Sequence, residues 1–427
     1  MRKFNFDIDD WTGGNTLGKS MGDTIGSTVK EMLFSIITKN VKEFSFYNNA
    51  IVPLIVDWGD GDKQTITRVG KTSHVYKDYK MSKRMITFYN QEDELKISKD
   101  KIKTSLISMA TDIDSYIIEH NKYNSVYRYV EVKPVNKVKN LIFRHGGLKT
   151  LEAYAFEKLN ILSSVIIPNG VTDIKANCFA RCTIQGDLIM PDSINSIGLT
   201  AFSSLRIHND LILPKTLTEI GPHLFLGLQL NKDLIIPDSV KTIGFNAFGD
   251  LNTCTNIHFG KGLKSIEGYA FTFATDLNGP LKLNDGLEYI GKYAFSSDCN
   301  LTGELVIPSS VKKIDECAFT SCVSLQGIVL NEGLEYIGDN AFATCTKLEH
   351  IVFEEGVKRI GSDAFYNCRS LKNDIILPES LIELGDNAFL FCNNIKTLYV
   401  CETTKTDFTY AMFNIVTYKK GEKPKIN

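Results

Sequence analysis

Near the start of the chain, one stretch has a pattern that could bind a nucleotide: Gly13-Gly14-Asn15-Thr16-Leu17-Gly18-Lys19-Ser20. In a phosphate loop of this pattern, backbone amides cradle the phosphates, the lysine reaches the outer ones and the hydroxyl holds Mg²⁺. Such a loop follows a buried apolar strand and opens a helix, but here acidic residues 7–10 precede it and Gly22 and Gly26 follow it. We interpret the stretch as a glycine-rich arm, with nucleotide binding through Lys19 as an alternative.

A second stretch with chemical potential is the acidic turn Asp57-Trp58-Gly59-Asp60-Gly61-Asp62. Carboxylates at alternate positions of a loop are ligands that Ca²⁺ prefers. Asp-Gly pairs also form tight turns without any metal, because both residues tolerate turn conformations. We favour the turn, and calcium binding at Asp57, Asp60 and Asp62 is left open.

Catalytic patterns are otherwise missing from the sequence. There is no metalloprotease helix motif, no serine nucleophile elbow and no distinctive carboxylate pair. The histidines are scattered at positions 74, 120, 145, 208, 223, 258 and 350. We therefore predict a non-enzymatic protein with no cofactor and, apart from the calcium binding left open above, no metal site.

The element that must position any functional residue is a long internal repeat. Its marker is a phenylalanine that recurs every 23 or 24 residues, at Phe156, Phe179, Phe202, Phe225, Phe248, Phe271, Phe295, Phe319, Phe342, Phe365 and Phe389. A strict period of this length predicts a solenoid of stacked coils. Phe413 lies 24 residues further on and predicts a degenerate twelfth coil.

Composition restricts the partners that such a solenoid could have. The net charge is −2 and 43% of the residues are hydrophobic, so neither nucleic acid nor an anionic membrane is expected as a partner. No apolar run is long enough to span a membrane, and the first residues do not resemble a secretory signal. Membrane insertion is therefore not expected.

Each coil follows one pattern, as residues 233–248 illustrate. Leu234 and Ile236 are predicted to point inward and Ile235 outward, because side chains alternate along a strand. A second inward pair and an Ala-Phe corner complete the coil. The cysteines recur at the same corner, three residues after a phenylalanine, at Cys182, Cys322, Cys345, Cys368 and Cys392. No Cys-x-x-Cys pair exists, so we interpret them as small buried side chains rather than disulfides or metal ligands.

This pattern, L-x-I-P-x-S-V-x-x-I-G-x-x-A-F-x-x-C, resembles the BspA-like class of bacterial leucine-rich repeats over residues 138–413. The resemblance implies a surface-attached protein that binds host proteins or other cells. Leu224 and Cys178 depart from the alanine position, which changes packing only locally.

The N-terminal region is predicted to be mainly β. Trp58-Gly59-Asp60-Gly61 followed by His74-Val75-Tyr76 resembles the polycystic-kidney-disease (PKD) type of immunoglobulin-like sandwich, which generally serves as a spacer or adhesion unit. Apolar spacing predicts short helices over residues 28–38 and 101–120. The predicted segments are an arm (1–40), a PKD-like β-sandwich module (41–100), a helix and linker (101–137) and the solenoid (138–427).

One outward position is the candidate partner-binding strip, which we call the outward row. It comprises Ile142, Ile166, Ile189, Ile212, Ile235, His258, Lys282, Val306, Val329, Val352, Ile376 and Tyr399. Nine of the twelve are β-branched aliphatics. Strand propensity and a surface covered by a partner explain this equally well. His258 and Lys282 would divide the row into two patches.

A second outward column is acidic, with Asp187, Asp210, Asp233, Glu304 and Asp374 two residues before members of the outward row. We favour a solvated acidic edge over a cation-binding ladder. The sequence therefore predicts a binding or adhesion protein whose solenoid contacts a protein or cell-surface glycan receptor. Our main hypothesis is a component of a phage tail or tail-like particle, in which residues 1–135 contact other particle proteins. A bacterial cell-surface adhesin is the alternative, and a homo-oligomeric state is left open.

Overall fold

The computed structural model describes residues 32–38, 43–48, 54–66, 70–76, 84–90, 107–109, 113–118, 125–126, 130–132, 137–143, 148–297, 300–406 and 413–424. The phosphate-loop stretch 13–20 lies outside these residues. The described part of the chain is mainly β and has no helix, which confirms the predicted fold class. It consequently contains no helix long and apolar enough to cross a membrane.

The described residues form short strands of two to seven residues. The first eleven are β1 (Met32–Thr38), β2 (Glu43–Asn48), β3 (Leu54–Asp57), β4 (Lys63–Ile66), β5 (Gly70–Val75), β6 (Arg84–Asn90), β7 (Ile107–Met109), β8 (Ile113–Ile118), β9 (Ser125–Val126), β10 (Val130–Val132) and β11 (Lys137–Phe143). The next fourteen are β12 (Thr150–Leu151), β13 (Asn160–Ile161), β14 (Val165–Ile166), β15 (Asp173–Ile174), β16 (Thr183–Ile184), β17 (Leu188–Ile189), β18 (Ser196–Ile197), β19 (Arg206–Ile207), β20 (Leu211–Ile212), β21 (Glu219–Ile220), β22 (Gln229–Leu230), β23 (Leu234–Ile235), β24 (Thr242–Ile243) and β25 (Ile257–His258). The last twelve are β26 (Ser265–Ile266), β27 (Tyr289–Ile290), β28 (Gly303–Ile307), β29 (Lys313–Ile314), β30 (Leu325–Leu330), β31 (Tyr336–Ile337), β32 (His350–Phe353), β33 (Arg359–Ile360), β34 (Asn373–Ile376), β35 (Glu383–Leu384), β36 (Ile395–Cys401) and β37 (Asn414–Tyr418).

The N-terminal strands lie in two sheets. Strands β8, β1, β6, β3 and β4 are neighbours in one sheet, and β10, β7, β2 and β5 form the other. Phe44 from the second sheet and Val56, Ile66 and Ile86 from the first belong to the same hydrophobic core. This core also includes the interior of the solenoid, so the β-sandwich arrangement of the N-terminal module stays a prediction. The likeness of this module to the PKD family stays a prediction.

The helix predicted over residues 28–38 is wrong. Residues 32–38 form β1, which pairs antiparallel with β6 on one side and with β8 on the other. The stretch Ile36-Ile37-Thr38 is β-branched and favours a strand. Two flanking strands supply the backbone hydrogen bonds that a helix would have made internally, so long-range pairing decides the structure.

The amphipathic helix predicted over residues 101–120 is also wrong, because β7 and β8 occupy this segment. Strand β8 pairs parallel with β11, where Val138 faces Ile113, and β9 pairs parallel with β12, where Thr150 faces Ser125. Both offsets are 25 residues, close to the repeat period. One further turn therefore precedes the first phenylalanine coil, and the solenoid continues directly into the N-terminal sheet.

The coils stack through parallel strands on three sides. The first-strand face contains β14, β17, β20, β23, β25, β28, β30, β32, β34, β36 and β37. The second-strand face consists of two sheets. One contains β9, β12, β15 and β18, and the other contains β21, β24, β26, β27, β29, β31, β33 and β35. A third column, β13, β16, β19 and β22, joins β11. The predicted alternation is confirmed, since Leu234 and Ile236 are buried whereas Ile235 is 60% exposed.

The interior of the solenoid is organised by the phenylalanine column. The eleven rings stack face to face, with neighbouring centroids 5.0–5.6 Å apart. Phe143 caps the stack edge-on at 5.7 Å from Phe156. At the other end, the partly buried Phe413 packs against the same core. Each ring thus completes its packing only through the coils above and below it.

The corner that holds each phenylalanine uses left-handed backbone on both sides. Asn340 and Thr344 flank Phe342 with φ of 56° and 64°, and corresponding positions recur in every coil. This alternation directs successive amides along the solenoid: Asn340, Phe342 and Thr344 donate to carbonyls of the next coil at 2.7–2.9 Å. Asparagine recurs here because its short polar side chain tolerates positive φ.

The cysteine column supplies hydrogen bonds to backbone carbonyls at this corner. Each of Cys182, Cys322, Cys345, Cys368 and Cys392 donates its thiol to the carbonyl of the phenylalanine one coil earlier, at 2.9–3.4 Å. The nine cysteines in the described residues are free and buried, which agrees with the interpretation as small buried side chains. Cys299 lies outside these residues.

Buried thiols should resist chemical modification while the protein is folded. Burial raises the pKa of Cys254 to about 11 and that of Cys368 well above its usual range. Because only the thiolate is nucleophilic, we expect the nine described cysteines to react with an aromatic disulfide reagent many times more slowly at pH 8 than in guanidinium. Rapid native labelling of these nine, located by peptide mapping, would contradict the burial.

Candidate functional site

The first-strand face places the outward row in register along the solenoid. Direct neighbours in the parallel ladders include Ile166, Ile189 and Ile212, then Val306, Val329 and Val352, then Ile376 and Tyr399. Parallel strands lie about 4.8 Å apart, so the side chains within each ladder stand side by side. The structure therefore aligns the residues that the sequence singled out, but it does not by itself test what they bind.

Part of the row is exposed, and Ile189, Val329, Ile376 and Tyr399 are half-buried. Ile166, Ile235, Ile212 and Val306 have 60%, 60%, 45% and 44% of their surface accessible. Sequence reasoning missed one further member, Val416, which faces Tyr399 across β36 and β37 and is 42% exposed. The only sequence signal for this coil was Phe413, because the rest of the repeat pattern has degenerated there.

The predicted interruption of the row coincides with a local opening of the face. Strand β25 ends at His258, Lys282 lies in no strand, and the next strand on this face is β28. A cavity of about 360 Å³ lies at this point of the face, with Ile257, Phe259 and Leu281 in its wall. The row therefore consists of an isoleucine patch before the opening and a second patch after it.

The acidic column lies beside the row because residues i and i+2 of a strand share a face. Its carboxylates accept hydrogen bonds from the protein: Asp187 from the Asp210 amide at 3.1 Å, and Asp233 from Asn256 at 3.2 Å. A hydrogen bond with His258 at 3.0 Å, followed by that from Asn256, lowers the pKa of Asp233. Among the described residues these carboxylates do not converge as a metal-binding group, so the arrangement is that of an acidic edge.

The second-strand face carries charged and aromatic side chains that contact one another along the solenoid. The Lys313 ammonium lies 5.7 Å and 5.2 Å from the ring centroids of Tyr289 and Tyr336. Nearby, Glu335 and Lys358 form an ion pair at 2.8 Å. Side chains already engaged with neighbours along the solenoid are less available to a partner than the unpaired aliphatics of the outward row.

The acidic turn of the N-terminal module is held by interactions within the protein. Asp57 accepts the Gly59 amide at 3.1 Å and pairs with Lys63 at 3.1 Å. Asp60 contacts His74 at 2.7 Å. Burial acts to raise the pKa of Asp60, but hydrogen bonds with His74 and the Asp62 amide outweigh it, so the pKa is lowered.

The ligand atoms that come within 4.8 Å of one another belong to Asp60, Asp62 and His74, rather than to the three aspartates considered for calcium. Around this group the His74 ring stacks on buried Trp58 at 4.8 Å, and the Tyr76 hydroxyl donates to the Trp58 carbonyl at 3.2 Å. These contacts join the turn to the following strand. The residues that resemble the PKD motif thus hold the turn and the following strand together.

Stacked coils of parallel strands with inward leucine and isoleucine columns define a leucine-rich-repeat solenoid. The family model of the BspA type leucine rich repeat region matches in six copies, over residues 133–252, 207–325 and 288–417. The chain therefore belongs to the BspA-type leucine-rich repeat family. No curated protein matches the chain in sequence.

Several solved structures are similar to the chain. A leucine-rich repeat protein from Bacteroides ovatus is 20% identical, with 73% of this chain and 95% of that chain covered and a TM-score of 0.48. A leucine rich cell surface protein from Faecalibacterium prausnitzii is 20% identical, covering 72% and 92%, with a TM-score of 0.36. The pneumococcal vaccine antigen PcpA is 17% identical, covering 74% and 89%, with a TM-score of 0.39.

Proposed function

We propose that the chain is a non-enzymatic adhesion protein of the bacterial cell-surface type, which binds a protein on another cell through the outward row. The observation that supports this most is the pair of aliphatic patches on the first-strand face, which expose Ile166, Ile235, Val306 and Val416 among others. Contiguous apolar surface at this scale is typical of interaction sites. Membership of the BspA-type family supports the same role.

The cell-surface role is better supported than our main sequence-based hypothesis of a phage tail or tail-like particle. The family match covers most of the chain and is to a bacterial repeat class. In the particle hypothesis, residues 1–135 would dock on other particle proteins. Density-gradient fractionation of the producing culture separates the two: recovery with the cell envelope supports the adhesin, and sedimentation with a large particle would overturn it.

Binding is tested with labelled purified chain on bacterial and epithelial cells, measured by flow cytometry. We expect the double substitution Ile235→Glu and Val306→Glu to reduce binding about tenfold, because each change buries a charge in the contact. Ile382→Glu is the matched control, since Ile382 is 56% exposed but lies outside the row. Equal loss in both variants would contradict the assignment of the face, and binding that survives protease treatment of the cells would indicate a glycan receptor.

A further inference from the structure

The isoleucine patch, defined as Ile166, Ile189, Ile212 and Ile235, has two chemically different borders. On one side, two residues earlier on the same face, lie Asp187, Asp210 and Asp233. On the other side, two residues later, lies a line of prolines: Pro168, Pro191, Pro214 and Pro237. Proline has no amide hydrogen, so this border offers no backbone donor at these positions. Pro191 and Pro214 are buried, and Pro168 and Pro237 are half-buried. The patch is therefore apolar in the centre, acidic along one edge and without proline amide donors along the other.

The carboxylates of the acidic edge accept hydrogen bonds within the protein, and Asp233 also pairs with His258 at 3.0 Å. Asp210 and Asp233 are exposed, and the pKa of Asp233 is lowered by its contacts with His258 and Asn256. Lys232, next to Asp233, is the basic residue closest to it in sequence. A second copy of the chain docked on this patch would bring another line of aspartates close to the first. Such like charges disfavour self-association at this surface.

The direction of the patch limits the shape of its occupant. Ile166, Ile189 and Ile212 are direct neighbours in one parallel ladder, where strands lie about 4.8 Å apart, and Ile235 occupies the same position of the next coil. The patch therefore runs across the strands for roughly 15 Å. Apolar residues three and four apart on a helix form a stripe with neighbours about 5–6 Å apart, which fits this spacing. An extended strand places same-face side chains farther apart, at roughly 6.6 Å. A helix of about ten residues would span the patch.

We propose that the isoleucine patch binds a basic amphipathic helix of a partner protein, with its apolar stripe on the isoleucines and lysine or arginine side chains against Asp187, Asp210 and Asp233. This inference rests on the proposed binding function of the outward row and specifies the partner of its N-terminal part. The opening at His258 and Lys282 ends the site, because the regular spacing is lost there.

The test uses three 14-residue fluorescent peptides and the full chain in fluorescence anisotropy. One contains leucine and lysine at helical spacing, one has the same composition in strict alternation, and one replaces each lysine by glutamate. We expect the helical Leu/Lys peptide to bind most tightly and to weaken at high salt, because screening reduces attraction between exposed charges. Equal binding of the Leu/Glu peptide, tighter binding of the alternating peptide, or no binding of any peptide would overturn the proposal.

Variants locate the binding and separate its two components. We expect Ile235→Ser and Asp210→Asn each to weaken the helical Leu/Lys peptide, the former by about tenfold. Ile382→Ser and Asp250→Asn are matched controls on exposed residues elsewhere in the chain, and they should leave binding unchanged. Equal weakening by the controls would overturn the site. If Ile235→Ser abolishes cell binding although no peptide binds, the outward row is functional but this partner class is wrong.

Discussion

Phe319→Ala is expected to lower the free energy of unfolding by about 3–5 kcal/mol. The Phe319 ring is fully buried and stacks between Phe295 and Phe342 at 5.3 Å on each side. Removing it takes away buried apolar surface and leaves a cavity in a column that the stacked coils hold in place. Urea denaturation followed by circular dichroism measures the change. Unfolding should begin in the coils around residues 295–342, because the stability of a solenoid is approximately the sum of the contacts between neighbouring coils.

The matched control is Phe245→Ala. Phe245 belongs to the same solenoid but is 47% exposed and lies outside the phenylalanine column. Phe245→Ala should lower the free energy of unfolding by about 1 kcal/mol or less, because little buried surface disappears and no interior cavity forms. If both substitutions cost the same, the column would not be the principal stabilising element that its geometry indicates.

Gly338→Ala is expected to destabilise the protein by about 1–3 kcal/mol, in the range of overpacked interiors. A methyl group at this position would lie 2.5 Å from the backbone carbonyl carbon of Asp315 and from the amide nitrogen of Glu316 in the preceding coil. Neither atom can move without separating two coils that are bonded at 2.9 Å between the Gly338 amide and the Ile314 carbonyl. Thermal and urea denaturation of the variant measure the effect.

Gly221→Ala provides the control, because Gly221 occupies the same position of its coil. A methyl group there meets no atom within 4 Å. The change in stability should stay within about 0.5 kcal/mol, as for ordinary surface substitutions. A large loss at Gly221, or none at Gly338, would show that close approach between coils is not the reason for glycine at this position.

The solenoid could be predicted from the sequence because its information is redundant. The Leu234-Ile235-Ile236 alternation and the Ala-Phe corner recur in many coils, so a departure such as Leu224 does not obscure the pattern. Contacts between neighbouring coils repeat at a fixed separation. The same regularity predicted the inward and outward positions and therefore the outward row.

The N-terminal strands could not be predicted in the same way. Ile113 and Ile117 have a spacing that suits both a helical stripe and an internal strand, and local sequence does not distinguish them. The choice depends on β1 and β11, which flank β8 and are distant in sequence. The close approach of the preceding coil to Gly338 could not be predicted from the sequence either. Glu267 and Asp315 occupy the same position in other coils, so the repeat does not require glycine there.

The continuous stacking of coils has a mechanical consequence when tension acts along the solenoid. Hydrogen bonds between coils point along the solenoid, so tension in that direction loads them one interface after another. Detaching one coil removes about 4.8 Å of stacked length but frees roughly 75 Å of extended chain. Under pulling the solenoid should lengthen in discrete steps, and each step should dissipate work while the remaining coils stay stacked.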